Sequence, residues 1–274
     1  MTTYHVVPGD TIIVDPAPVV TPPPPPPAIK PSGPLVISTS GQVIDSLSFT
    51  GSSGYGIHAT GTSSKPIQGL TIRNCTFSGA FFGSIWAEFV NLIDIEGCTI
   101  DGASYSGVML ISCVGGKVVT NTIRKIGPQV MNDSSTNAYG IALTDTGGPA
   151  TSGVLVDGNL IEDIPTWQGV NTHNGQNLTI SNNRTNRVRR AYWLAPVSGK
   201  RVTGCKVTGN TAGPLAAGTL DPTAFFVSDS DGCSFTGNHI DPSYPVGSGA
   251  EWVNYVRDYG NASTNLVRSG NTRP

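Results

Sequence analysis

The chain has 274 residues, of which only 12% are charged, with 34 Gly and 21 Pro. Sixteen Lys and Arg against 18 Asp and Glu leave a formal net charge of −2, so no basic surface dominates and a nucleic-acid ligand is not expected. No apolar run reaches the ~20 residues that a membrane span requires.

Residues 1–21 hold two short apolar patches, Val6-Val7 and Ile12-Ile13-Val14. The opening Met1-Thr-Thr-Tyr-His has neither a basic n-region nor an apolar h-region, so the expectation is synthesis in a host cytoplasm without a signal peptide. Tyr4-His5-Val6 followed by Gly9-Asp10-Thr11 resembles the start of a LysM peptidoglycan-binding module. Pro16, Pro18 and Pro22 to Pro27 stand where its helices would follow, which excludes a complete module. A segment this short cannot fold alone, so residues 1–21 read as an attachment segment for another protein. Residues 22–34 read as a linker whose proline run forms a stiff polyproline II spacer.

From residue 35 to 274 one phrase recurs: apolar, any, apolar, two spacers, Asn or Cys, any, apolar. It reads Leu70-x-Ile72-x-x-Cys75-x-Phe77 and Ile93-x-Ile95-x-x-Cys98-x-Ile100. It returns around Asn121, Asn159 and Asn183, and more weakly around Cys205, Asn238 and Asn271. Between these anchors lies a second strand phrase, often opened by Gly: Gly56-Ile57-His58, Gly107-Val108-Met109, Gly140-Ile141-Ala142, Gly169-Val170-Asn171. Two period-2 phrases per repeat, with no helix-length apolar stripe, predict an all-β solenoid whose coils must stack to bury their apolar faces.

These repeats resemble the right-handed parallel β-helix family, which includes pectate-lyase-like enzymes and phage tailspikes. The resemblance covers about residues 35–274 and implies a right-handed parallel β-helix of about eight or nine coils behind a Pro-rich N-terminal extension. The Asn anchors predict a corner column in which stacked amides bond each other and the backbone. Cys75 and Cys98 would occupy the same column as buried free thiols, since no disulfide or zinc spacing is evident.

Period 2 sends Ile57, Ile85, Val108, Ile141, Val170, Tyr192, Phe225 and Val253 inward. It sends His58, Trp86, Met109, Ala142, Asn171, Trp193, Phe226 and Asn254 outward. Trp86, Met109, Trp193 and Phe226 would form an apolar stripe on the outside: a subunit interface, a sugar-stacking platform, or a face covered by loop insertions. The cluster Arg184, Arg187, Arg189 and Arg190 reads as a solvated corner. The 38-residue gap between Asn121 and Asn159 predicts an excursion near residues 128–137.

A polysaccharide lyase needs a base beside a neutralised uronate, and a glycosidase needs two apposed carboxyl groups. The acids here are dispersed. The best constellation is Glu88, Asp145 and His173 with Trp86 nearby, its members one to three rungs apart. No metal site and no cofactor are expected. The sequence therefore reads as a virion appendage of phage type: a tail spike, fibre or decoration subunit, homotrimeric and held to other virion proteins through residues 1–21. Its role would be structural or adhesion to a host cell-surface polysaccharide. The alternative is a polysaccharide lyase or hydrolase on the same rod.

Overall fold

The computed structural model describes residues 28–129, 137–145, 147–197, 199–260 and 263–274. The attachment segment 1–21, the proline run and most of the excursion expected near 128–137 lie outside the described residues.

All the described secondary structure is β, and it forms a parallel β-helix. Nine strands, from Gln42–Asp45 through Ile67–Arg73 and Val90–Glu96 to Val267–Ser269, stack as one parallel sheet and count nine coils. The corner splits the first repeat phrase, so each coil carries three faces. The second face runs from Lys30–Ser32 through Leu47–Gly51, Thr76–Gly79 and Thr99–Ala103 to His239–Ile240. The third runs from Leu35–Ile37 through Tyr55–Thr60, Gly83–Glu88, Ser106–Ile111 and Tyr139–Thr144 to Val256–Asp258. Lys30–Ser32 already pairs with Leu47–Phe49, so the solenoid starts five residues before the expected boundary at 35.

The first corner carries the fold. Asn121, Asn159, Asn183, Asn210, Asn238 and Asn271 are buried one above the other. Each Nδ2 reaches the next Oδ1, at 2.9, 2.8, 3.0, 3.1 and 2.8 Å in order. Each Nδ2 also bonds a carbonyl of the first face, as Asn159 does with Val118 at 2.8 Å. Each Oδ1 receives the backbone amide of its neighbour as well, as Asn159 does from Asn121 at 2.9 Å. All the donors and acceptors of a buried amide are thereby satisfied. The residue just before each anchor is left-handed: Asn74, Gly97, Thr120, Gly158, Asn182, Gly209, Gly237 and Gly270 all have φ between 53° and 65°. This turns the chain and explains the recurrent Gly or Asn there.

Cys75 and Cys98 continue the column as free buried thiols. Cys98 Sγ contacts the Ile72 carbonyl at 3.7 Å, the place an Asn Nδ2 takes elsewhere, and its amide donates to Asn121 Oδ1 at 2.8 Å. Cys205 is not in the column. Lys206–Thr208 pairs with Thr179–Ser181, which sets Cys205 against Leu178 and gives the corner to Asn210. The repeat phrase puts the anchor of this coil at Cys205; backbone pairing puts it five residues later, at Asn210.

The inward column is buried throughout from Ile57 to Phe225. In the last coil Val256, not Val253, pairs with Phe225 and is buried, while Val253 is 43% exposed. A short antiparallel pair, Trp252–Val253 with Val256–Asp258, shifts the register by three residues and puts Arg257 rather than Asn254 in the outward column.

Replacing Asn159 by Leu should strand the Asn121 and Asn183 amide groups and cost about 1–3 kcal/mol of stability. Cys98→Asn should be neutral or stabilising, because it extends the ladder by one amide. Denaturant midpoints for both variants check this; a neutral Asn159→Leu would mean that the column does not hold the coils in register.

Candidate functional site

The outer side of the third face concentrates the chemistry. Register pairing confirms one outward column of His58, Trp86, Met109, Ala142, Asn171, Trp193 and Phe226, ending at Arg257. It is not a bare stripe. Met109 and Phe226 are only 4% and 6% exposed, and Ala142 and Asn171 are buried. Met109, Ile111, Tyr139 and Ala142 form a second apolar cluster outside the rod, with Trp86, Tyr105 and Trp167 packed on it. The chain therefore covers its own outer face.

The cover comes from residues at the turn that leads into each third-face strand. Tyr55, Phe82, Tyr105, Tyr139 and Trp167 precede the strand phrase or open it in five successive coils. The sequence reading missed them because it started each phrase at the Gly. An aromatic residue just ahead of that phrase, coil after coil, was the available signal. Glycine follows some of them for a steric reason. A Cβ at Gly140 would lie 2.6 Å from the Gly169 carbonyl oxygen, and one at Gly107 would lie 2.6 Å from Ile123.

Two aromatic groups result. In the first, Phe82 and Tyr105 stack with ring centroids 4.7 Å apart and planes within 4°. Trp86 lies 5.7 Å from Phe82 and 5.1 Å from Tyr55, and Tyr55 lies 4.4 Å from His58. Phe82 is 41% exposed, and Tyr55, Trp86 and Tyr105 are half-buried, so the group presents open ring surface. The Trp86 indole donates to Glu88 Oε1 at 2.8 Å, which fixes the ring. Burial pushes the Tyr105 hydroxyl up and that of Tyr139 up to about 12, so both stay neutral. In the second group Trp193 stacks on Phe226 at 3.6 Å, with Arg190 between Trp193 and Trp167. The arginine cluster is a solvated corner only in its first half: Arg184 is exposed and Arg187 lies in a left-handed turn paired with Asp163, whereas Arg189 is buried and Arg190 mostly so.

The expected constellation of Glu88, Asp145 and His173 does not assemble. Glu88, Ile111 and Thr144 occupy successive rungs, and His173 falls one further along. Three rungs amount to about 14 Å, too far for Glu88 and His173 to share one bond. Asp145 lies next to the His173 rung but is held in a cage of its own. Its Oδ2 accepts from Lys200 Nζ at 2.8 Å and from Asn174 Nδ2 at 3.2 Å, and its Oδ1 accepts from the Gly147 amide at 3.2 Å. Burial alone would raise this carboxyl; Lys200, Gly147 and Asn174 outweigh it and hold it below its ordinary value. It is a fixed anion rather than a proton donor. Burial lowers His173, with Asp145 opposing the shift, which favours the neutral imidazole. Among the described residues no three His, Cys, Asp or Glu side chains gather as a metal site would need.

The model of the family described as right handed beta helix region matches residues 33–138 and 95–255. The chain belongs to the right-handed β-helix family. No curated protein matches the sequence. Among solved structures it is similar to DFA-IIIase from Arthrobacter chlorophenolicus A6 without its lid, in complex with GF2. The TM-score is 0.56 and the identity 12%, over 87% of this chain and 63% of that one. A cysteine-to-alanine mutant of the same enzyme gives a TM-score of 0.47 at 13% identity, over 86% and 66%. The chain thus spans less than two thirds of the length of the first of these, and the likeness is one of fold.

The Asp145 cage makes a pH prediction. A carboxyl with a depressed folded pKa contributes stability above its unfolded pKa near 4 and loses it as pH falls through the folded value. Asp145→Asn should therefore cost about 1–3 kcal/mol at pH 7, with Lys200 40% exposed and partly rehydrated. The gap to the parent should close as pH drops below about 4. Unfolding curves at pH 7, 5 and 3 read it, and a gap independent of pH would mean that the ion pair contributes nothing.

Proposed function

We propose that this β-helix is a carbohydrate-binding rod that acts by adhesion, without turnover, as part of a phage-type virion appendage. One observation carries the reading: the half-open aromatic group of Tyr55, Phe82, Trp86 and Tyr105 on the outer third face. Aromatic rings with apolar bodies and polar tips are suited to stack on the apolar faces of sugars while hydrogen-bonding their rims. His58, Thr60 and Glu88 supply polar groups beside the rings, His58 and Thr60 already bonded to each other at 2.9 Å. The absence of an apposed acid pair among Glu88, Asp145 and His173 favours binding over cleavage. The appendage setting rests on the sequence order of short apolar segment, proline spacer and rod. The stripe that suggested a homotrimer is largely covered by the chain itself, so this reading needs only one rod.

The second reading is an oligosaccharide-cleaving enzyme on the same rod. The DFA-IIIase structure with the TM-score of 0.56 is a complex with GF2, so a rod of this fold can hold a carbohydrate ligand. Glu88 beside Trp86 is the acid that such a reading would use first.

The test is a panel of host-surface polysaccharides and their oligomers, with affinity followed by calorimetry and tryptophan fluorescence. Trp86→Ala and Phe82→Ala should each weaken binding by about tenfold, in line with the worth of an aromatic contact. Neither new reducing ends nor unsaturated products should appear on long incubation. Release of product that is lost in Glu88→Ala would transfer the reading to the enzyme; unchanged affinity in both aromatic variants would remove the platform.

A further inference from the structure

The second aromatic group holds more positive charge than it neutralises. Arg190 lies with its guanidinium 4.5 Å from the Trp167 ring and 4.6 Å from the Trp193 ring. Phe226 of the next coil stacks on Trp193, with ring centroids 3.6 Å apart and planes within 4°. Arg189, its side chain 7% exposed, lies 5.8 Å from Trp167 and donates to the Thr166 carbonyl at 3.1 Å. One carboxylate serves both arginines. Asp221 Oδ2 lies 2.8 Å from Arg190 Nη2 and 4.0 Å from Arg189 Nη2. Asp221 is itself 61% exposed and comes from the segment 213–222 that links the second and third faces of its coil.

The surrounding polar groups are also short of partners. Among the described residues, Gln168 Oε1, Asn171 Nδ2, Thr166 Oγ1 and the Nε atoms of Arg189 and Arg190 are buried with no hydrogen bond. Gln168 and Asn171 are 2% and 1% exposed and sit on the rung beside Arg190 and Trp193. Buried polar groups normally find partners, and the Gln168 and Asn171 amides beside Arg190 and Trp193 each leave one atom without one. Burial and the neighbouring Arg190 both lower Arg189, while the distant Asp221 offsets only part of this.

We propose that Arg189 and Arg190, clamped by Trp167 and Trp193, form a subsite for the carboxylate of an acidic sugar, with Asp221 occupying it in the absence of ligand. This rests on the glycan-binding reading and deepens it: the ligand is a uronic-acid polysaccharide rather than a neutral one. A guanidinium fork matches a carboxylate in two parallel hydrogen bonds, and the flanking indoles offer ring surface for the sugar that carries it. The two aromatic groups lie on the same face. Trp86 and Trp193 are four rungs apart in one column, about 19 Å, so a single extended glycan can engage both.

The experiment titrates the full chain with an oligogalacturonate, a neutral oligomer of equal length and a sulfated oligomer. The oligogalacturonate should bind about tenfold more tightly than the neutral oligomer, as expected for one charge-assisted contact, and the preference should fall with added salt. Arg190→Gln should abolish the preference. Asp221→Asn removes the resident competitor and should tighten oligogalacturonate binding several-fold while leaving neutral binding unchanged. It alters an exposed residue and so tests the subsite even if Arg190→Gln perturbs the stack. Weaker oligogalacturonate binding in Asp221→Asn, or equal affinity for acidic and neutral oligomers in the parent, would overturn the subsite alone. Equal binding of the sulfated oligomer would overturn its assignment to carboxylate. No binding of any oligomer would instead defeat the glycan reading on which it stands.

Discussion

Everything in this molecule depends on parallel strands staying in register from one coil to the next, and the corner amides enforce that register. A single slip would move each inward Ile or Val to solvent and each outward aromatic to the core. Backbone pairing alone tolerates such a slip, because every position of a strand offers the same donor and acceptor. The Asn column does not. Each amide bonds its neighbour's amide, its neighbour's backbone and a carbonyl of the first face, so a displaced coil would bury several unpaired groups together. The left-handed residue ahead of each anchor adds a second constraint, since only a few residue types take that conformation cheaply.

Charge supports the same register from outside. Asp45 with Arg73, Asp101 with Arg124, Asp163 with Arg187 and Asp229 with Arg201 join residues on adjacent coils, and Glu96 with Lys117 does so diagonally. These pairs are largely exposed, so each contributes little stability. Their value is in favouring one alignment of coils over its neighbours. Asp101 takes Lys125 as well as Arg124, and Asp221 is shared by Arg189 and Arg190, whose side chains, unlike those of Arg124 and Lys125, are mostly buried.

The outer third face shows how a solenoid makes a surface from distant sequence. Its rings come from two columns, one at the turn and one in mid-strand, and neighbouring rings belong to different coils. Phe82 meets Tyr105, and Trp167 meets Arg190, across 23 residues in each case. Met109 is buried beneath rings contributed by the coils on either side. The face is therefore packed where the inner rings meet and open where Phe82 and its neighbours end. Asp145, locked by Lys200, illustrates the same division: a charged residue of the site region is spent on holding the loop after Thr144 in place.

The sequence by itself determined the coil. Period-2 apolar phrases, the Asn and Cys anchors and the Gly that opens many of the second phrases sufficed for the fold class, the inward column from Ile57 to Phe225 and most of the corner column. These features are local, since each coil repeats the same steric problem and meets it with the same residue types. Where the repeat was weak, at Cys205 and Val253, the phrase pointed to the wrong residue, and the pairing of neighbouring coils put Asn210 and Val256 in those places. The candidate site was legible only in part. Trp86, Trp193 and Phe226 were visible as outward residues. That turn aromatics cover Met109, that Glu88 stands far from His173, and that Arg190 is held between two indoles were not. Those contacts run between coils, over sequence separations that vary with every insertion, and only the stacked structure fixes which side chains meet.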